Sequence, residues 1–460
     1  MEEETNRQER WMQTTNELLG AVRKETCQPY SIPVVPDELR KSNETAYMPK
    51  VVSIGPLYKG KKELLPMEEI KWRCLTSLLS RTFGQDTIAT CLDTVIKSDA
   101  AVRASYVDEI ALDRYDLATT MVFDGCFLLE LIICESKLDS EIPIPFNGIS
   151  PGIEVKKMEY VISDLMLPDN QIPIFILEKL FEKVLGSSNQ MREFIQNLAL
   201  PLFGYSGKLM VKSTSHFLDV AYSYLEMGWM GEIEVNLSSV ATETNLQEKH
   251  LSRCATRLKA AGITIQSLQN DDNINFKLTT HFNKSKGILK IPRLIITQTT
   301  EVKWRSFIAW EHQKNKLKTR SFLVADRLSI CTFSALLFRD LICCSGDVQL
   351  LKDRRVIEDH TNTSNRDLVA FFHSMASGAD HGIIDQQLTT MFNALNAFPT
   401  NNYLTKIYIL PRHYFSKISD WCYSFYQYLK TGYIFSAYFL SFLTFVQTCY
   451  TIIAYHFPKR

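Results

Sequence analysis

Apolar residues recur at spacings of three and four from Glu63 to Arg81, where Leu64, Met67, Ile70, Cys74, Leu75, Leu78 and Leu79 are separated by Glu68, Glu69, Lys71 and Arg73. That period predicts an amphipathic helix with one face turned to a core. Met121 to Cys134 is apolar nearly all round, interrupted by Asp124, Gly125 and Glu130. It is too short to cross a bilayer and predicts a buried helix. Ile172 to Leu185 places Pro173 in a first turn and ends at Gly186, as helices do. Further helices are expected over His216 to Met227, Leu246 to Ala261, Trp304 to Lys318, Ser329 to Cys344 and Leu368 to Ser377. Between Gly262 and Thr297 the period changes to two. Ile263 to Ile265, Ile274 to Leu278 and the β-branched run Ile288 to Ile296 predict two or three short strands in a small appended sheet. Asp139 to Gly152 and Asp380 to Thr400 read as surface loops.

Tyr433 to Tyr455 has no charged residue and is almost entirely apolar or aromatic, with Pro458, Lys459 and Arg460 beyond it. About 20 such residues at roughly 1.5 Å each span the hydrocarbon core of a bilayer. The segment is therefore expected to be a transmembrane helix, with Tyr433, Tyr438, Tyr450 and Tyr455 near its ends as an aromatic belt. The competing reading is a buried C-terminal core helix. No apolar run near Met1 resembles a signal peptide, so insertion is expected after synthesis, with the N-terminal domain in the cytosol. Sequons at Asn43, Asn236, Asn283 and Asn362 keep the opposite topology open, because they become glycosylation sites if the domain is lumenal. The organisation expected is a polar segment 1–30, one mainly helical domain over 31–415, a juxtamembrane segment 416–432 and a membrane helix within 433–457 of a single-pass protein of the plasma membrane or endomembranes.

The 460 residues contain 51 Lys plus Arg and 51 Asp plus Glu, so no global field attracts nucleic acid, which is not expected as a partner. The 11 cysteines are never spaced Cys-x-x-Cys and several fall in apolar runs, as buried free thiols do. The nine histidines include no pair at metal-ligand spacing, so neither a metal nor a cofactor is expected.

Gly55-Pro56-Leu57-Tyr58-Lys59-Gly60-Lys61 has the glycine and lysine spacing of a phosphate-binding loop, but Lys62 stands where a magnesium-binding hydroxyl belongs and Pro56 lacks an N–H. The alternative is a basic turn before a helix. Gly204-Tyr205-Ser206-Gly207 is one residue too short for a nucleophile elbow. Asp124, Asn170 and Gln171 lie between apolar segments, where they either serve an internal polar site or satisfy backbone groups that would otherwise be buried unpaired.

Several strings together resemble the plant family called "domain of unknown function 247". Ile32 to Pro36, Tyr47-Met48-Pro49, Val52 to Pro56, and Met67-Glu68 with Lys71 are similar to its N-terminal signature. Asp124 to Leu131, Asp164 to Leu167, Asn170 to Pro173, Ala255 to Ile263, Gly287 to Pro292, Phe307 to Glu311 and Asp347 to Ile357 are similar to its later blocks, in order. Two departures stand out. The family's His-His pair after Ser-Ile-Gly-Pro is replaced by Leu57, Tyr58 and Lys59, and its Leu-Glu before Asn-Gln by Pro168-Asp169. The resemblance implies one large, mainly helical domain with a C-terminal membrane helix, and supplies no catalytic residues.

The function expected from these observations is a membrane-anchored protein-interaction or recognition module, not an enzyme, with an unidentified protein partner. Tyr58, Lys59, Lys61, Asn170 and Gln171 are the candidate binding-loop residues. The alternatives are an enzyme with an internal polar site around Asp124, and a membrane scaffold.

Overall fold

The computed structural model describes residues 31–80, 87–135, 153–186, 191–209, 214–233, 250–268, 280–320, 329–379, 386–398, 442–449 and 451. The polar segment 1–30, the loop expected at Asp139 to Gly152, the strand expected at Ile274 to Leu278, Asn236 and the juxtamembrane segment 416–432 lie outside them. The described residues fall into two compact units: 31–256 with 264–396, and 257–263 with the described residues beyond 396.

The chain is mainly helical, as its periodicity predicts. In order, α1 covers Asp37–Ser42, α2 Leu65–Leu79, α3 Thr87–Ile96, α4 Asp99–Arg103, α5 Arg114–Glu135, α6 Val155–Asp164, α7 Ile174–Leu185, α8 Met191–Ala199, α9 Phe217–Ile233 and α10 Ala255–Ala260. After the strands come α11 Thr300–Arg320, α12 Ile330–Leu341, α13 Ser345–Asp353, α14 Asn365–Met375 and α15 Gln386–Ala397. The strands are β1 Thr264–Leu268, β2 His281–Asn283, β3 Ile288–Pro292, β4 Leu294–Ile296 and β5 Ile357–Asp359. Strand β3 lies between β1, which is parallel to it, and β2, which is antiparallel, while β4 pairs in parallel with β5.

The apolar run around Asp124 extends further than expected, into the 22-residue α5. This helix is long and apolar enough to cross a membrane by length and composition, but 83% of its apolar window is buried inside the protein. Burial on all sides explains why no polar stripe appears in its sequence. Helices α2, α3, α7 and α8 surround it. Gly125 permits the approach of α7, since a Cβ there would lie 2.3 Å from Leu180 Cδ1.

Several expectations need correction. Asp380 to Thr400 is not all loop: Gln386–Ala397 is helical, with Phe392 and Leu395 buried at a spacing of three. Of the helix expected over Leu246 to Ala261, residues 250–261 are described, and of these Ala255–Ala260 is helical. The backbone before it is bonded elsewhere, Leu251 N–H to Asp340 and Ser252 N–H to Asn396, which leaves no local ladder. Pro173 is the N-cap residue of α7, not a first-turn residue. Of the membrane helix expected over Tyr433 to Tyr455, only 442–449 and 451 are described; 442–449 is helical, with Phe442, Leu443, Phe445 and Val446 exposed.

Buried polar side chains close the ends of elements across the fold. Glu311 on α11 accepts hydrogen bonds from Cys331 N–H at 2.7 Å, Thr332 N–H at 2.8 Å, the Thr332 hydroxyl at 2.7 Å and the Tyr222 hydroxyl at 3.1 Å. It thereby caps α12, whose own Ser329 makes no side-chain cap. Burial pushes the Glu311 carboxyl up to about 7, against the pull of those donors. A carboxyl raised on folding gives stability that is complete below its unfolded value and is lost as pH rises through the folded one. Between pH 4.5 and 7 the wild type should therefore lose roughly 3 kcal/mol relative to Glu311→Gln, which does not titrate. Urea unfolding of both full-length chains in detergent at several pH values checks this. Parallel pH profiles would show that Glu311 is ionised equally in both states.

Candidate functional site

The segment Lys50 to Gly55 has no strand partner among the described residues, so its N–H groups must find acceptors elsewhere. Three side chains supply them. Asp164 accepts from Lys50 N–H at 3.0 Å, Val51 N–H at 2.7 Å and Val52 N–H at 2.9 Å. Asn170 accepts from Ile54 N–H at 2.8 Å and donates to the carbonyls of Val52 at 3.1 Å and Asp164 at 2.9 Å. Asp124 Oδ2 accepts from Gly55 N–H at 2.7 Å. Burial raises the Asp164 carboxyl to about 6 although three N–H groups oppose it.

Beneath this segment lies a buried ion pair. Lys71 of α2 and Asp124 of α5 are each 2% exposed, and their charged atoms are 2.6 Å apart. The ammonium makes two more contacts of 2.6 Å, to Ser53 O and to Glu68 Oε1, so all three of its protons are used. Burial works against the Lys71 ammonium, yet Asp124 and Glu68 outweigh it and hold its pKa above the ordinary lysine value. Burial raises the Asp124 carboxyl, opposed by Lys71 and the Gly55 N–H. Both Asp124 oxygens are thus engaged.

Above the pair is a cavity of 160 Å³ bounded by Ser53, Gly55, Lys59, Glu68, Trp72, Thr119, Thr120 and Phe123 together with Lys71 and Asp124. This volume holds several water molecules or a small polar group. Ser53 lines this cavity, and its buried hydroxyl has no hydrogen-bond partner among the described residues. Lys59 reaches across to the Thr120 hydroxyl. The rim is aromatic. Leu65, Glu68 and Trp72 share one face of α2, and Tyr115, Thr119 and Phe123 one face of α5. Trp72 is 56% exposed and meets Phe123 edge-on at 4.3 Å between ring centroids. Leu65 and Tyr115 are exposed too.

Of the residues singled out in sequence, Lys59 is exposed and borders the cavity, and Lys61 lies 4.6 Å above the Tyr58 ring. Tyr58, Asn170 and Gln171 are buried. Tyr58 donates to Tyr47 O at 3.4 Å, and Gln171 donates to the carbonyls of Leu165 at 2.5 Å and Leu167 at 2.9 Å and accepts from Leu218 N–H at 3.3 Å. These three side chains shape the loop from within. The Gly55 turn is not a phosphate cradle, since its N–H already serves Asp124. Trp72 and Thr120 were not singled out; a tryptophan among Glu68, Glu69 and Arg73 was the available signal. Of the sequons, Asn43 donates to Glu301 at 3.0 Å and caps a 3₁₀ turn, whereas Asn283 and Asn362 are exposed.

One further cluster combines thiols and a carboxylate. The ligand atoms of Cys254, Cys343 and Asp347 all lie within 4.8 Å of one another.

Comparison with known proteins places the chain. The "UPF0481 protein At3g47200" of Arabidopsis thaliana is 25% identical over 404 residues, 83% of this chain and 79% of that protein. The "Putative UPF0481 protein At3g02645" of the same plant is 24% identical over 203 residues, 42% of this chain and 36% of that protein. No solved structure matches significantly. The family described as plant protein of unknown function matches residues 32–424, across the loop, the ion pair and the cavity alike. The chain belongs to this family, "domain of unknown function 247".

Proposed function

We propose that the chain is a recognition module held at a membrane by its C-terminal apolar segment, and that it binds a partner protein through the aromatic-rimmed cleft between α2 and α5. The observation that carries this reading is the 56% exposed Trp72 at the rim of a cavity lined by the polar side chains of Lys59, Thr119 and Thr120. Tryptophan anchors dominate binding energy at protein interfaces. Lys59 beside the cavity favours an acidic side chain as the polar group that the partner brings. Trp72, Leu65 and Tyr115 would supply apolar contact around it. The exposed apolar side chains of 442–449 favour lipid as their surroundings.

The test is crosslinking of the full-length chain in plant microsomes, comparing wild type with Trp72→Ala/Lys59→Glu. Both residues are exposed, so the variant should keep its helical circular dichroism while losing specific partner crosslinks by tenfold or more. An unchanged set of crosslinked partners would remove the cleft from consideration. Extraction with alkaline carbonate tests the anchor, which predicts that the full chain stays with the membrane and a chain ending at Lys430 is released.

A further inference from the structure

Cys254, Cys343 and Asp347 are separated by up to 93 positions in sequence, yet the fold gathers their ligand atoms within 4.8 Å. Cys254 precedes α10, Cys343 sits in the connection between α12 and α13, and Asp347 is in the first turn of α13. The carboxylate is held from behind. Its Oδ1 accepts from Thr256 N–H at 2.8 Å, and its Oδ2 from Cys343 N–H at 3.0 Å and Cys344 N–H at 3.1 Å. These bonds fix its orientation, as outer-shell donors do for metal-binding carboxylates. A third sulfur, Cys344 Sγ, lies 3.4 Å from Asp347 Oδ2.

We propose that Cys254, Cys343 and Asp347 form a binding site for a thiophilic divalent cation of the zinc class. Two thiolates and one carboxylate supply three ligands of the types zinc takes, with the fourth position filled by water or by Cys344. Zinc–sulfur bonds of about 2.3 Å in a tetrahedron place ligand atoms roughly 3.5–4 Å apart, so the observed cluster needs to contract by about an ångström at most. Cys343 is exposed and belongs to a connection, so it supplies the movement without disturbing a helix. Binding converts two thiols to thiolates and releases their two protons to solvent; no electron is transferred.

The probe is zinc chloride titrated into the full-length, detergent-solubilised, chelator-stripped chain under a phosphine reductant, with metal content and proton release both read. One equivalent of zinc bound with release of about two protons is expected. Cys254→Ser and Cys343→Ser should each weaken binding at least tenfold, while Cys91→Ser, at a buried position of α3, should leave it unchanged. Cobalt in place of zinc should show a thiolate charge-transfer band that Cys343→Ser abolishes. Should a serine variant not fold, alkylation of the wild type decides: zinc must protect Cys343 from iodoacetamide. Zinc binding by Cys254→Ser/Cys343→Ser equal to that of the wild type, absence of protection, or a Cys254–Cys343 disulfide in the chain as purified each overturns the proposal.

Discussion

Replacing Lys71 with methionine should destabilise the chain by about 3–5 kcal/mol, because it leaves the Asp124 carboxylate buried against a single N–H donor. The loss is larger than the pair's own net worth. Removing one member of a buried ion pair leaves the other without compensation, while removing both charges together is often close to neutral. Lys71→Met/Asp124→Asn should therefore recover at least half of the loss, since the asparagine oxygen still accepts from Gly55 N–H and no charge remains buried. Urea unfolding of the full-length chains in detergent, followed by circular dichroism, measures both. A single variant within about 1 kcal/mol of wild type would mean that Asp124 takes up a proton at little cost, and that the pair is not what joins α2 to α5.

The ion pair also shows what one sequence reveals and what it hides. Lys71 reads as an outward charge between Ile70 and Trp72 on an amphipathic helix, and only the fold turns it inward. Its neighbour Trp72 reads as part of a mixed surface and proves to be the exposed rim of the cavity. Asp124 was legible as an oddity, because a charge in an apolar run either marks an internal site or has a partner. Identifying that partner needs the packing of α2 on α5. The long helices were legible where one face is apolar, as in α2, or where burial is complete, as in α5. Helix α3 was missed because Thr87, Ile88, Thr90, Thr94, Val95 and Ile96 are β-branched and lower its propensity, so packing of Cys91 and Val95 decides its form. The cluster of Cys254, Cys343 and Asp347 was illegible for the same reason as the ion pair: its members share no spacing, and their proximity belongs to tertiary structure. Asn170 and Gln171 were legible as unusual and open as to role. Each bonds the backbone of neighbouring loops, which makes them part of the frame that holds the cavity wall.

That frame has its tightest point at Gly55, and comparison with Gly60 isolates why. The two glycines have φ of +81° and +82°. An alanine at either position therefore meets the same left-handed backbone cost of about 1–2 kcal/mol. Their surroundings differ. Among the described residues nothing lies within 4 Å of a Cβ at Gly60, whereas a Cβ at Gly55 would be 2.6 Å from Gln171 O and 3.0 Å from the Tyr106 hydroxyl. The first of these atoms is backbone and the second donates to that same carbonyl at 2.9 Å, so neither can withdraw alone. Gly60→Ala should cost about 1 kcal/mol and Gly55→Ala about 3 kcal/mol or more. Because displacing Gly55 also pulls its N–H from Asp124, Gly55→Ala and Lys71→Met should combine to less than the sum of their separate losses, as changes at one shared acceptor do. Unfolding measurements on the single variants and the double variant settle the matter. Equal losses at Gly55 and Gly60 would show that the loop shifts away from Gln171 freely, and full additivity with Lys71→Met would show that loop and ion pair act as separate structures.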